Sequence, residues 1–104
     1  MLERSVEAGL VEKVKRRGGL CYKFVSPGCS GVPDRLIIYK GKVTFVELKQ
    51  TYGKLAPIQK RTIERMRYHG ATVYVVYGSE GVDKMLEEVM PSEVQATRLP
   101  AVHD

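Results

Sequence analysis

Three residues able to do chemistry, Asp34, Glu47 and Lys49, stand in two runs that are otherwise rich in apolar and β-branched residues, DRLIIY (34–39) and KVTFVELK (42–49). Both runs read as strands, and Lys40 and Gly41 between them read as a two-residue turn. With those two residues at the centre of the turn, Tyr39 faces Lys42 and the ladder continues until Asp34 lies opposite Glu47. Directly paired side chains have Cβ atoms about 4.5–5.5 Å apart, and like charges so placed destabilise a sheet. A divalent cation would offset that repulsion, because carboxylate oxygens from two strands can share one Mg²⁺ that keeps waters at its other positions. The inference depends on register: a three-residue loop would send the two carboxylates to opposite faces. Strand period two puts Lys49 on the face of Glu47. A lysine beside a bound metal can stabilise charge developing on a transferring phosphoryl group or hold the attacking water.

The same charges have a plainer reading, with Asp34 as a strand-entry residue and Glu47 and Lys49 as the solvated face of a half-exposed strand. Two features weigh against it. Val43 and Phe45 share the face of Glu47, so that face is not simply solvent, and Pro33-Asp34 follows the glycine-rich loop SPGCSGVP in a basic chain.

The elements that must position these residues follow from pattern. Val6, Leu10, Val11 and Val14 recur at helical spacing, Lys13, Lys15, Arg16 and Arg17 lie where cations suit a helix C-terminus, and Gly18-Gly19 ends the segment, which predicts a helix over 3–17. CYKFVS (21–26) reads as a short strand. After the hairpin, Pro57 suits the first turn of a helix running to about His69 and closed by Gly70. TVYVVY (72–77) has the unbroken apolar character of a strand buried on both faces. Residues 80–90 read as a last amphipathic helix, and residues 91–104 as a loose tail. The order αβββαβα implies an antiparallel meander of three strands and a fourth strand parallel to the third, reached by a helical crossover.

Taken in order, KFVSPG…GVPDRL…FVELK…GKL…Q resembles the VRR-NUC domain, within the PD-(D/E)XK nuclease superfamily, over nearly the whole chain. The resemblance implies a restriction-endonuclease-like α/β fold with a mixed central sheet flanked by helices, a nuclease domain over residues 1–90 and a tail over 91–104. It implies that Asp34, Glu47 and the backbone carbonyl of Leu48 hold Mg²⁺ or Mn²⁺, and that Lys49 orients or activates the water. It also implies DNA as substrate, branched forms such as Holliday junctions among them, and a homodimer.

Two outlying residues gain meaning from the comparison. Glu7 matches a glutamate that the family offers from its first helix, as a further catalytic and metal-ligating candidate. Independently, it lies on the apolar side of the predicted helix with Leu10, Val11 and Val14, or it is simply N-terminal negative charge favoured by the helix dipole. Gln59 matches a family glutamine and shares a face with Ile63 and Met66. Its amide could bond the catalytic lysine or a phosphate, or satisfy a buried backbone group.

Seventeen Lys and Arg against twelve Asp and Glu give a net charge of +5, which suits a polyanionic partner. Lys54, Lys60 and Arg61, with Ser26 and Ser30 of the glycine-rich loop, are the candidate DNA contacts. Arg65, Arg67 and the Lys13–Arg17 cluster could extend that surface. Cys21 and Cys29 match no metal-ligand spacing and no signal peptide precedes them, so free thiols in a reducing cytoplasm are expected. No apolar run approaches the ~18 residues of a membrane span. The rival expectations are a non-catalytic basic module of the same fold that holds DNA without cutting it, and a structural or assembly protein in which the carboxylates pair with Arg35 or another basic residue.

Overall fold

The computed structural model describes residues 3–91, with the element order α1 (Glu3–Arg16), β1 (Leu20–Lys23), β2 (Arg35–Tyr39), β3 (Lys42–Lys49), α2 (Pro57–Tyr68), β4 (Val73–Tyr77) and α3 (Gly78–Val89). The strands form one sheet in the order β1-β2-β3-β4, antiparallel except for the parallel pair β3 and β4. The expected αβββαβα order and mixed sheet are therefore present. The tail read over 91–104 lies outside the described residues except for Pro91.

The hairpin register is the expected one, with Tyr39 paired to Lys42 and Arg35 to Val46. Its turn residues Lys40 and Gly41 have φ of 50° and 82°, so both are left-handed. That is the backbone of a type I′ turn, whose twist matches the flanking strands and which fixes a two-residue loop. A three-residue loop is thereby excluded, and the alternation of faces along β2 and β3 follows.

One face of the sheet is closed. Val6, Leu10 and Val14 on α1 pack with Val82, Met85, Leu86 and Met90 from the α3 end onto Ile37, Val46, Leu48 and Val76 of the sheet, all nearly or fully buried. Helix α1 ends in a Schellman arrangement, Gly19 N–H to the Val14 carbonyl and Gly18 N–H to the Lys15 carbonyl, each 3.0 Å. Lys13 and Arg17 are both engaged within the fold. Lys13 bonds Asp83 at 2.6 Å, and Arg17 bonds Glu87 at 3.2 Å and the carbonyls of Leu86 and Met90 at the C-terminus of α3. The basic last turns of α1 thus clamp two helices together on the closed face.

The other face carries Leu20 and Tyr22 of β1, Leu36 and Ile38 of β2, and Val43, Phe45, Glu47 and Lys49 of β3, in the alternation the register dictates. Only α2 covers it, from the β4 side, through buried Thr62 and Ile63. The expectation that residues 72–77 are buried on both faces is corrected accordingly. β4 is an edge strand, Tyr74 and Val75 are half-buried and Tyr77 is 40% exposed. An edge strand with a single partner helix on one face has no neighbour to seal its outer side. β1 is also shorter than CYKFVS, ending at Lys23. Phe24 N–H still bonds the Asp34 carbonyl at 2.9 Å, and the chain then turns into the 25–33 loop.

Candidate active site

The site forms where β2 begins and β3 ends. β2 starts at Arg35, and one step further in the register Asp34 lies across from Glu47. The Asp34 Oδ2 accepts the Leu48 N–H at 2.9 Å. One carboxylate is therefore held against the peptide that joins Glu47 to Leu48, and the other springs from Glu47 itself.

Glu47 is 1% exposed, and two groups converge on its Oε2. The Gln59 amide nitrogen donates to it at 2.9 Å, and Lys49 Nζ lies 3.8 Å away with its side chain only 16% exposed. Period two delivers Lys49 to this face, as the strand pattern requires. Gln59 is held from its other end, since its Oε1 accepts the Ala56 N–H at 2.8 Å. That N–H belongs to the residue preceding Pro57 at the N-terminus of α2, one of the donors that a helix start leaves without intrahelical partners. One side chain thus caps the helix and orients the buried carboxylate, and the cap bond fixes which end of the amide is the donor.

The loop ahead of Asp34 is anchored to the same helix. Thr62 Oγ1 donates to the Ser30 carbonyl at 2.8 Å. Gly31, at φ +84°, comes so close that a Cβ there would lie 2.7 Å from the Ile58 carbonyl oxygen, so only glycine allows the approach. α2 therefore positions both halves of the site, Asp34 through its loop and Glu47 through Gln59.

Of the residues singled out in the sequence, Asp34, Glu47, Lys49 and Gln59 come together. Glu7 does not join them. Its Oε2 accepts from Arg35 Nε at 2.8 Å and lies 4.0 Å from Lys23 Nζ, and among the described residues no cluster of three or more acidic, histidine or cysteine side chains could hold a metal. The physical reason is local. Arg35 points to the α1 face, as Ile37 does, and meets Glu7 there before the carboxylate can reach the strand ends. Lys54, Lys60 and Arg61 are exposed in and beside α2, Ser26 is half-buried and Ser30 exposed. Arg67 is exposed as well, but its guanidinium is tied to the fold, donating from two nitrogens to the Val73 carbonyl at 3.2 and 2.6 Å.

Sequence reasoning missed the double role of Gln59 and the Arg35–Glu7 pair. Gln59 stands at the third helical position after Ala56, the spacing of a capping box, and that signal was available. Cys21 and Cys29 are free thiols, as expected.

The donors on offer at Asp34 and Glu47 are carboxylate oxygens, which suit a hard divalent cation better than a soft metal. Two carboxylates without a third are also compatible with Mg²⁺, which keeps several waters in its shell.

A mixed sheet that brings an aspartate, a glutamate and a lysine to neighbouring strand ends, with a helix-borne glutamine across them, defines a protein of the α/β nuclease class. The sequence profile of the VRR-NUC domain matches residues 5–80, and the chain belongs to that family as one of its nucleases. It is 43% identical over 88 residues to "Putative nuclease p44" of Acyrthosiphon pisum secondary endosymbiont phage 1, covering 84% of this chain and 94% of that one. Among solved structures, a "VRR_NUC domain" superposes with a TM-score of 0.76 at 39% identity, over 82% of this chain and 94% of the other. A Holliday junction resolvase, Hjc of Archaeoglobus fulgidus, superposes with a TM-score of 0.54 at 18% identity, over 72% and 67% of the two chains, and shares the fold. No helix among the described residues is long and apolar enough to cross a membrane.

Proposed function

We propose that this chain is a metal-dependent, structure-selective DNA endonuclease that acts as a homodimer on branched DNA such as Holliday junctions. The observation that supports this reading best is the convergence of Lys49 and Gln59 on buried Glu47, with Asp34 held against the adjoining peptide. Asp34, Glu47 and the Leu48 carbonyl would hold Mg²⁺ or Mn²⁺. When bound, such an ion supplies Lewis acidity toward a phosphodiester and lowers the pKa of its water.

The remaining roles belong to the chain. Lys49 holds the attacking water and opposes the charge that develops on the phosphate. Gln59 keeps Glu47 in one rotamer, so the carboxylate needs no reorganisation during reaction. Glu7 acts at one remove, fixing Arg35 and with it the entry of β2 that carries Asp34. Lys54, Lys60 and Arg61, with Ser26 and Ser30, take the phosphate backbone on the α2 side of the sheet. Branched substrates are suggested by the archaeal Holliday junction resolvase that shares the fold, and two sites related by a two-fold axis would cut the two strands of such a junction.

Cleavage of labelled linear duplex, flap, splayed-arm and four-way substrates with Mg²⁺, Mn²⁺ or chelator tests the reading, with wild type beside Asp34→Ala and Glu47→Ala. Metal-dependent cutting that both substitutions abolish supports it, and paired symmetric nicks identify junction resolution. Wild-type binding without cutting across the panel would leave a DNA-holding module instead.

A further inference from the structure

The two most exposed large hydrophobic side chains among the described residues are tyrosines, Tyr52 at 93% and Tyr68 at 86%. Tyr68 ends α2, nine residues and so about 13 Å along the helix from Gln59, and its ring meets His69 edge-on at 5.2 Å. Tyr52 stands at the mouth of the site, three residues after Lys49. Its backbone is anchored there. The Gly53 N–H donates to the Gln50 carbonyl at 2.9 Å, so Thr51 and Tyr52 are the central residues of a β-turn. The turn leans on the start of α3: a Cβ on Gly78, at φ +66°, would lie 2.7 Å from Thr51 Oγ1, and only glycine lets the two segments meet. It also leans on β3, since a Cβ on Gly53 would lie 3.5 Å from Lys49 Cβ. The end Cα atoms of a β-turn are less than about 7 Å apart, which keeps the Tyr52 ring beside the lysine. Across the sheet the parallel register sets Tyr77, 40% exposed, against Lys49. Aromatic surface therefore borders Lys49 along the chain and from the neighbouring strand, and exposed Lys54 lies just beyond.

We propose that Tyr52 is a stacking platform for an unpaired base next to the scissile phosphate, and that it supplies part of the preference for branched over fully paired DNA. The proposal rests on the nuclease reading above for its substrate and on the anchored turn for its place. The chemistry of the strand selects the ligand. In a duplex each base is covered on both faces by its neighbours, whereas a base at a fork, flap or junction has a face free. Every base has a π-face, so an aromatic side chain stacks on any of them without regard to sequence. Such a residue reads whether a strand is paired. Taking a base out of a paired stack costs free energy that an already unpaired base is spared, and this difference becomes the selectivity. Charge holds the strand in position, with Lys49 toward the scissile phosphate and Lys54 toward the backbone beyond it. A ring on an anchored turn has little freedom to lose when the base arrives. Tyr68 is nearly as exposed but lies at the far end of α2, so the two tyrosines separate an aromatic that is placed at the site from one that is merely on the surface.

The test is the affinity of the full chain for splayed-arm DNA in chelator, where nothing is cut, with each unpaired nucleotide near the fork replaced in turn by an abasic site. Wild type is compared with Tyr52→Phe, Tyr52→Leu and the control Tyr68→Leu. At one position, loss of the base should weaken binding of wild type, Tyr52→Phe and the control by about 5–150-fold, the span for one base on one aromatic ring. In Tyr52→Leu the same abasic site should cost less than about twofold, because two partners in contact lose their interaction only once. Phenylalanine keeps the ring and leucine only the bulk, so restoration by Tyr52→Phe separates stacking from a part in folding. With Mg²⁺ or Mn²⁺, the ratio of splayed-arm to linear-duplex cleavage should fall in Tyr52→Leu and return in Tyr52→Phe. An abasic response as large in Tyr52→Leu as in wild type, or none at any position in wild type, would overturn the proposal. Its failure is distinct from that of the nuclease reading. Metal-dependent cutting with an abasic response indifferent to residue 52 would sink the stacking platform alone, and a response that depends on Tyr52 in a chain that cuts nothing would sink the nuclease alone.

Discussion

The two faces of the one sheet are built to different ends. On the closed face, α1 and α3 bury Ile37, Val46, Leu48 and Val76, and the charged residues nearby tie helix to helix or helix to strand, as Lys13–Asp83, Arg17–Glu87 and Arg35–Glu7 do. On the half-roofed face, one helix supports a buried carboxylate and a lysine, and apolar side chains are left bare. The same sheet serves both, because alternation sends Val46 and Leu48 one way and Glu47 and Lys49 the other. Stability is concentrated on one side and reactivity on the other. Substitutions on the two sides should therefore separate folding from cutting.

The largest effects test that separation directly. Glu47→Gln keeps the volume and the contact with α2 but removes the charge, and should lower the cleavage rate by at least about 10²–10³-fold, the scale for losing one preorganised electrostatic group. Its unfolding midpoint should stay close to wild type. Asp34→Asn should behave alike, since an amide oxygen can still accept the Leu48 N–H. Leu10→Ala on the closed face should do the reverse. Loss of a fully buried leucine costs about 2–5 kcal/mol of stability, and cleavage per folded molecule should be retained. Paired denaturant melts and single-turnover cleavage measure both quantities. If Leu10→Ala reduced single-turnover cleavage as much as Glu47→Gln did, at temperatures where it is folded, the division of labour between the faces would be wrong.

An intermediate effect sharpens the boundary. Gln59 joins α2 to the site, so Gln59→Ala should register in both measurements. Removing a residue that orients a metal-ligating carboxylate typically costs about 10–100-fold in activity or metal affinity. Losing the bond to the Ala56 N–H should cost about 1 kcal/mol of stability, the scale of a helix cap. Thr62→Val severs only the bond to the Ser30 carbonyl and should cost about 1 kcal/mol, with a smaller loss of cleavage. Reversal of that order would mean that the loop matters more to the site than the glutamine.

Legibility from the sequence follows the same division. The hairpin was readable because Lys40-Gly41 dictates a two-residue turn, and that register brings Asp34 to Glu47 by arithmetic alone. Gln59 was placed on an inward face by helical spacing, and the structure puts it there. That Glu7 meets a cation was not readable, because spacing shows which side of a helix a carboxylate takes and not which cation meets it first. Arg35 was that cation. The bonds of Lys13 and Arg17 to α3 were unreadable for a related reason, since a run of lysines and arginines looks alike whether it awaits phosphate or clamps the end of a helix. β4 was read as fully buried because composition reports apolarity, whereas burial depends on how many elements cover a strand, a property of the assembled sheet.

The smallest effect probes the faces through their two thiols. Cys21 belongs to the closed face, where burial raises its thiol pKa and Arg35 beside it offsets part of that rise. Cys29 is exposed in the loop ahead of Asp34 and lines a groove beside Phe45. The thiolate is the reactive form, and a raised pKa leaves less of it at a given pH. Near neutral pH an alkylating probe should therefore label Cys29 first, with Cys21 following as pH rises. Removing Arg35 takes away the one nearby charge that favours the Cys21 thiolate, so Arg35→Leu should slow Cys21 further in the folded protein. It should also free Glu7, which makes the variant a reporter of whether that carboxylate, once released, alters cleavage. Faster labelling of Cys21 than of Cys29 in the folded chain would mean that the α1 side opens more readily than the loop, and the contrast between the two faces would fail as a description of the protein in solution.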